Sequence, residues 1–186
     1  MNPERLDERF FSQDAVTVAR LLLGKTLVRV FPDGSVGRYR ITETEAYLGE
    51  EDKACHASKG RTPRTEVMYH KAGKIYVYLI YGMYWMLNFV TGPEGSPQAV
   101  LIRGLDDLRG SGKVGRLLSV EKSFYGEELQ NSPRMWVEDA PEITDFETAA
   151  RVGIDYAGAY RDWETDRKST RLNSSHSGES RMPSSA

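Results

Sequence analysis

The chain has 186 residues, 39% of them hydrophobic, and a net charge of −2, which suits one globular domain and not the strongly basic balance of a dedicated nucleic-acid binder. No run approaches the roughly 18 apolar residues of a membrane-spanning helix, and the N-terminal MNPERLDERF is charged where a signal peptide needs an apolar stretch. A single cysteine, Cys55, and three histidines offer neither an internal disulfide nor metal-ligand spacing, so the reading is an intracellular protein without metal or cofactor.

In chain order, residues 1–10 read as a loose arm. Ser12 or Asp14 can cap a helix over about residues 13–23, with Val16, Ala19, Leu22 and Leu23 as its apolar stripe and Gly24 as its stop. TLVRVF (26–31) predicts a strand, Pro32-Asp33-Gly34-Ser35 a turn, and residues 37–47 the returning strand. On that strand Glu43, Glu45 and Tyr47 share one face if the alternation holds, with the two carboxylates about 7 Å apart. A solvated charged face explains them as well; the run into Ala46, Leu48 and Gly49 favours a wall. Residues 48–73 have little periodicity and carry Cys55 and His56, and long irregular segments in small domains are commonly functional or disordered.

The stretch KIYVYLIYGMYWMLNFV (74–90) predicts a hairpin turning at Gly82. Its tip, Tyr81-Gly82-Met83-Tyr84, is apolar where hairpin tips are normally polar. Either it is buried in the core or it is a wedge for something outside the protein. Tyr76, Leu79 and Trp85 are assigned to the core. QAVLIR (98–103) is a further strand, ending at Arg103. Residues 113–120 form a short helix, and Ser111 and Gly112 ahead of it offer backbone amides to an anion. MWVE (135–138) is a strand, and Thr144-Asp145-Phe146-Glu147 has capping-box spacing that predicts a helix.

Local charge is less even than the total. Lys53, Lys59, Arg61, Arg64, Lys71 and Lys74 are set against Glu66 alone, and Arg103, Arg109, Lys113, Arg116 and Lys122 follow. A basic face for phosphates is compatible with a near-neutral sum. From residue 162 the composition turns to Ser, Arg and Asp with almost no apolar residues. That segment resembles translated adapter DNA joined to a truncated reading frame. Residues 1–161 are therefore taken as the domain and 162–186 as a disordered tail.

Seven segments, FFSQDAVTVARLLLGKTLV, ITETEAYLGEEDKACHA, TPRTEVMY, GKIYVYLIYGMYWMLN, AVLIRGL, KSFYG and ARVGIDYAGAYRD, resemble in order the alkyladenine (3-methyladenine or methylpurine) DNA glycosylase family, over roughly residues 10–162. The resemblance implies an α+β single domain, with a mostly antiparallel curved sheet, short helices and a protruding aromatic hairpin. It implies a monomer acting on double-stranded DNA that carries a damaged purine, in a bacterial cytoplasm or a eukaryotic nucleus. The reaction would be base excision: an alkylated or deaminated purine is flipped out of the duplex and its N-glycosidic bond hydrolysed. Glu45 matches the general base that activates water, and Arg103 a residue beside that water. Tyr47, His56 and Tyr78 match residues contacting the flipped base, Asn88 the one that excludes guanine, and Tyr81 the side chain filling the vacated stack. Lys113 and Arg64 are expected on the DNA backbone.

The chemistry is consistent with those roles. Base loss passes through an oxocarbenium-like sugar, and one carboxylate suffices when alkylation has already made the leaving base cationic. A silent nucleic-acid-binding module using the same hairpin is the alternative. A sugar glycosidase using Glu43 and Glu45 is disfavoured, since both lie on one strand face. Two departures stand out: the family's closing PWRFY-like strand is absent after Asp162, which would leave a sheet edge open, and GSGKVGRLL stands where a GPGKL-like run is usual.

Overall fold

The computed structural model describes residues 3–151 and, as backbone, the strand Ser169–Leu172. Its longest strand is β2 (Val36–Tyr47), which lies between β1 (Thr26–Val30) and β5 (Gln98–Leu105). The aromatic stretch forms β3 (Ile75–Ile80) and β4 (Tyr84–Thr91), and β7 (Met135–Glu138) flanks β1. The antiparallel order is β3-β4-β5-β2-β1-β7, with β6 (Leu108–Arg109) folded back on the end of β5. Three short helices, α1 (Glu8–Phe11), α2 (Ala15–Leu21) and α3 (Ser111–Leu117), cover this curled sheet among the described residues. The expected α+β single domain is what forms.

Local chemistry sets the element ends. The Asp14 side chain accepts from the Thr17 N–H at 3.0 Å and caps α2. Gly24, at φ 82°, ends this unit and donates its N–H to Ile41 O, which ties the helix exit to β2. The main core gathers Phe11, Val18, Leu22, Ile41, Leu87, Phe89, Ile102 and Val114 between helices and sheet. A second, smaller core holds Cys55, Ala57, Val67, Met68, Tyr69, Tyr76, Val90 and Ala99. It shows that residues 48–73 are a folded lobe on the sheet, with turns of 3-10 helix at His56–Lys59 and Glu66–Tyr69.

Four expectations need correction. The helix expected from the Thr144 capping spacing is instead a strand, β8 (Phe146–Ala149), since that stretch has no apolar stripe and a sheet partner is available. The partner is β9 (Ser169–Leu172), which also pairs with β2 at Glu43–Glu45. Residues 169–172 thus depart from the disorder expected of 162–186; the rest of that segment lies outside the described residues. The cause is an open edge: β1 pairs with β2 only from Val36 to Arg40 and leaves the later half of β2 exposed to any extended segment. Leu79, assigned to the core, is 40% exposed because the hairpin runs past the sheet. The strand expected to end at Arg103 continues to Leu105.

Helix α3 lies against β4 so closely that a Cβ on Gly115 would sit 1.9 Å from Trp85 O. Backbone cannot yield as a side chain does. Gly115→Ala is therefore expected to lower unfolding free energy by about 2–3 kcal/mol in chemical denaturation.

Candidate active site

A cavity of about 390 Å³ opens between the 48–73 lobe, the hairpin and the β2–β5 seam. Glu45 and Tyr47 from β2, His56 from the lobe, Tyr78 and Tyr81 from the hairpin, Asn88 from β4 and Arg103 from β5 all line it. Seven residues singled out in the sequence, spread over 59 positions, thus meet in one place. Lys113 and Arg64 are not in the lining. Arg64 is exposed with its guanidinium 5.2 Å from the Tyr78 ring centre, and Lys113 is exposed on α3, whose first residue, Ser111, reaches the cavity.

The β2–β5 ladder explains how a glutamate and an arginine come together. Ile41 pairs with Leu105 and Glu43 with Gly104, then Thr44 with Ile102, so Arg103 is an extra residue on β5. A bulge re-aims the side chain it carries. Arg103 Nε lies 3.3 Å from Glu43 Oε1 and 3.5 Å from Glu45 Oε1. The close approach requires Gly104, where a Cβ would stand 2.9 Å from that of Glu43. Thr44, on the opposite face, donates its hydroxyl to Ala19 O. The predicted shared face of Glu43, Glu45 and Tyr47 is preserved on either side of it.

Glu45 is fully buried yet borders the cavity. Burying a carboxylate costs several kcal/mol unless donors and cations surround it. Here the Tyr47 hydroxyl donates to Glu45 Oε2 at 2.9 Å while Arg103 approaches Oε1. Burial, and then the Glu45 charge, hold the Tyr47 phenol well above its ordinary pKa, so it remains a donor.

The aromatic wall is built on strand parity. Tyr76 and Tyr78 lie on one face of β3, with ring centres 5.5 Å apart. The His56 ring meets Tyr78 edge-on at 4.4 Å, and His56 Nδ1 is 2.8 Å from the Tyr76 hydroxyl. Tyr76 was assigned to the core; it is buried, but it lines the cavity and orients His56. Its i,i+2 relation to Tyr78 was the signal. Asn88 pairs with Tyr76 across the ladder and donates Nδ2 to Tyr76 O at 3.1 Å, which fixes its amide. Cys55 also lines the cavity, and burial pushes its thiol up to about 11. Among the described residues no three His, Cys, Asp or Glu side chains group as a metal site.

The hairpin tip resolves the choice left open by its sequence. Tyr81 is 87% exposed, and Met83 and Leu79 beside it are exposed as well, so the tip projects from the core instead of being buried in it. Tyr81 (φ 51°) and Gly82 (φ 66°) are both left-handed, with Met83 N–H donating to Ile80 O, the geometry of a type I′ turn. A tyrosine in that region carries about 1 kcal/mol of strain, and Gly82 accepts the same conformation freely.

Burial first, and then the nearby Arg64 and Lys59 charges, lower the His56 pKa to about 4. The unfolded chain then binds a proton near pH 6.5 that the folded protein refuses until about pH 4, so stability falls as pH drops through that window. Following the His56 ring protons by NMR should show no titration above pH 5. His56→Gln should flatten the acid side of the stability profile, by an amount on the order of 3 kcal/mol at most.

The model of the family described as methylpurine-DNA glycosylase (MPG) matches residues 9–108. Among similar proteins, one from Methanocella arvoryzae is 43% identical over 180 residues, covering 85% of this chain and 90% of its own length. One from Anaeromyxobacter dehalogenans (strain 2CP-1) is 44% identical over 171 residues, with 86% and 80% covered. One from Rickettsia rickettsii is 43% identical over 156 residues, with 80% and 82% covered. All three are named as candidate 3-methyladenine DNA glycosylases. The matched segment includes the strands that carry Glu45, Tyr47, Tyr78, Asn88 and Arg103, and the chain belongs to the methylpurine-DNA glycosylase family.

Proposed function

We propose that the chain is a monofunctional DNA glycosylase that takes an alkylated or deaminated purine out of duplex DNA and hydrolyses its N-glycosidic bond. One observation carries this reading. A buried carboxylate, Glu45, borders a cavity of about 390 Å³ walled by aromatic rings, and an exposed tyrosine stands at the same cavity. Family membership supports the same chemistry.

In this mechanism Glu45 accepts a proton from a water molecule as that water attacks the sugar carbon. The N-glycosidic bond breaks, its electron pair leaves with the base, and the sugar keeps the hydroxyl. The developing positive charge on the sugar is stabilised by the carboxylate. A base made cationic by alkylation leaves as a neutral molecule and needs no acid. Tyr47 and Arg103 hold Glu45 in orientation. With Tyr76 donating to Nδ1, His56 has Nε2–H left to donate to the base. The fixed Asn88 amide is a rigid obstacle to an exocyclic amine at that position. Tyr81 fills the vacated stack, at little entropic cost because the turn already holds it. Lys113 and Arg64 flank the opening for phosphates. The protein works as a monomer.

A silent binding module with the same hairpin would not need Glu45. Glu45→Gln is expected to slow base release by about a thousandfold, with affinity for a duplex holding an abasic-site analogue kept within about threefold. Full activity in that variant would remove Glu45 from the mechanism. Tyr81→Ala is expected to weaken lesion-duplex binding about tenfold in an equilibrium titration, with unchanged affinity assigning Tyr81 no role in the flipped state.

A further inference from the structure

A second buried ionic group lies behind the cavity wall, and the mechanism above does not use it. Arg151 has no exposed side-chain surface. Its Nη1 donates to Asp52 Oδ2 at 2.7 Å and its Nη2 to Oδ1 at 2.9 Å, a bidentate pair. Nη1 also reaches Ala46 O on β2, and the guanidinium carbon lies 4.9 Å from the centre of the Tyr47 ring. Asp52 in turn accepts from the N–H groups of Leu48 and Ala54, both at 3.1 Å. One pair therefore ties the exit of β2, the entry to the His56 lobe and the Tyr47 ring together.

We propose that Asp52 and Arg151 are a positioning and specificity pair that fixes Tyr47 as a base-stacking wall while cancelling the charge behind it. The proposal rests on the glycosylase reading and adds to it which bases the wall accepts. Tyr47 borders the cavity, whereas Arg151 is absent from the lining and stacks on the ring from behind. An arginine there provides a flat, rigid support that an aliphatic residue would not. Uncompensated, the same arginine would place a full positive charge behind the ring and oppose any cationic base stacked in front of it. The Asp52 carboxylate makes the support neutral. Cationic N-alkylpurines and neutral deaminated purines then meet the same electron-rich face.

The test is single-turnover excision of 7-methylguanine, cationic in DNA, and of hypoxanthine, neutral, from duplexes of one sequence. Wild type, Asp52→Asn, Arg151→Gln and the double variant are compared, with thermal melts confirming folding. Asp52→Asn should lower the ratio of 7-methylguanine to hypoxanthine release about tenfold. Arg151→Gln should move it the other way, and the double variant should bring it back toward wild type. Should Asp52→Asn not fold, Arg151→Gln answers the question through the opposite sign. Equal slowing of both lesions in both single variants, with the ratio unmoved, would make the pair a scaffold only and overturn the proposal. A wild-type protein that releases neither base would instead overturn the glycosylase reading, and the two failures are told apart by that lane alone.

Discussion

The antiparallel seam between β2 and β5 is the constraint on which the site depends. It keeps the same register at Ile41–Leu105 and again at Thr44–Ile102, and between them it carries two compensating irregularities, Thr42 extra on one strand and Arg103 on the other. An unbroken ladder would set Arg103 directly opposite Glu43 and away from Glu45. The paired bulges shift Glu43 to Gly104 and leave the arginine between two carboxylates. That cation and the Tyr47 hydroxyl help to make a buried Glu45 tolerable, so strand register and site electrostatics are one problem. The bulge has α2 receiving Thr44 on one face and the cavity on the other.

Much of this could be read along the chain because it depends on parity. Glu45 and Tyr47, Tyr76 and Tyr78, and the reversal at Gly82 follow from alternation and turn chemistry within a dozen residues. The aromatic tip, ambiguous in isolation, stands exposed because its strands run past the core. What escaped the sequence depends on distant partners. A single-residue bulge has no local signature except the glycine it demands at position 104. The strand at Phe146–Ala149 exists because another strand is beside it, and its own composition favoured a cap. The Asp52–Arg151 pair spans 99 positions, and neither residue is unusual among its neighbours. Tyr76 is visible by spacing, but a buried aromatic on a strand reads first as core.

The basic residues of the lobe divide into different uses. Arg61 is held by Glu66 through two hydrogen bonds, and Lys74 Nζ lies near His70. Arg64 lies over the outward part of the aromatic wall. Arg61 is thereby taken out of a simple charge count along the segment, while Lys53, Lys59 and Lys71 stand exposed on the lobe.

Cys55 gives the cavity a property unrelated to catalysis. N-alkylated purines arise from electrophiles, and the same electrophiles attack thiolates. The chain's single cysteine borders the cavity, where burial raises its pKa to about 11 and keeps it in the unreactive thiol form. A repair protein is needed most when electrophiles are abundant. A cavity whose one sulfur is held as a buried thiol is one that electrophiles modify slowly.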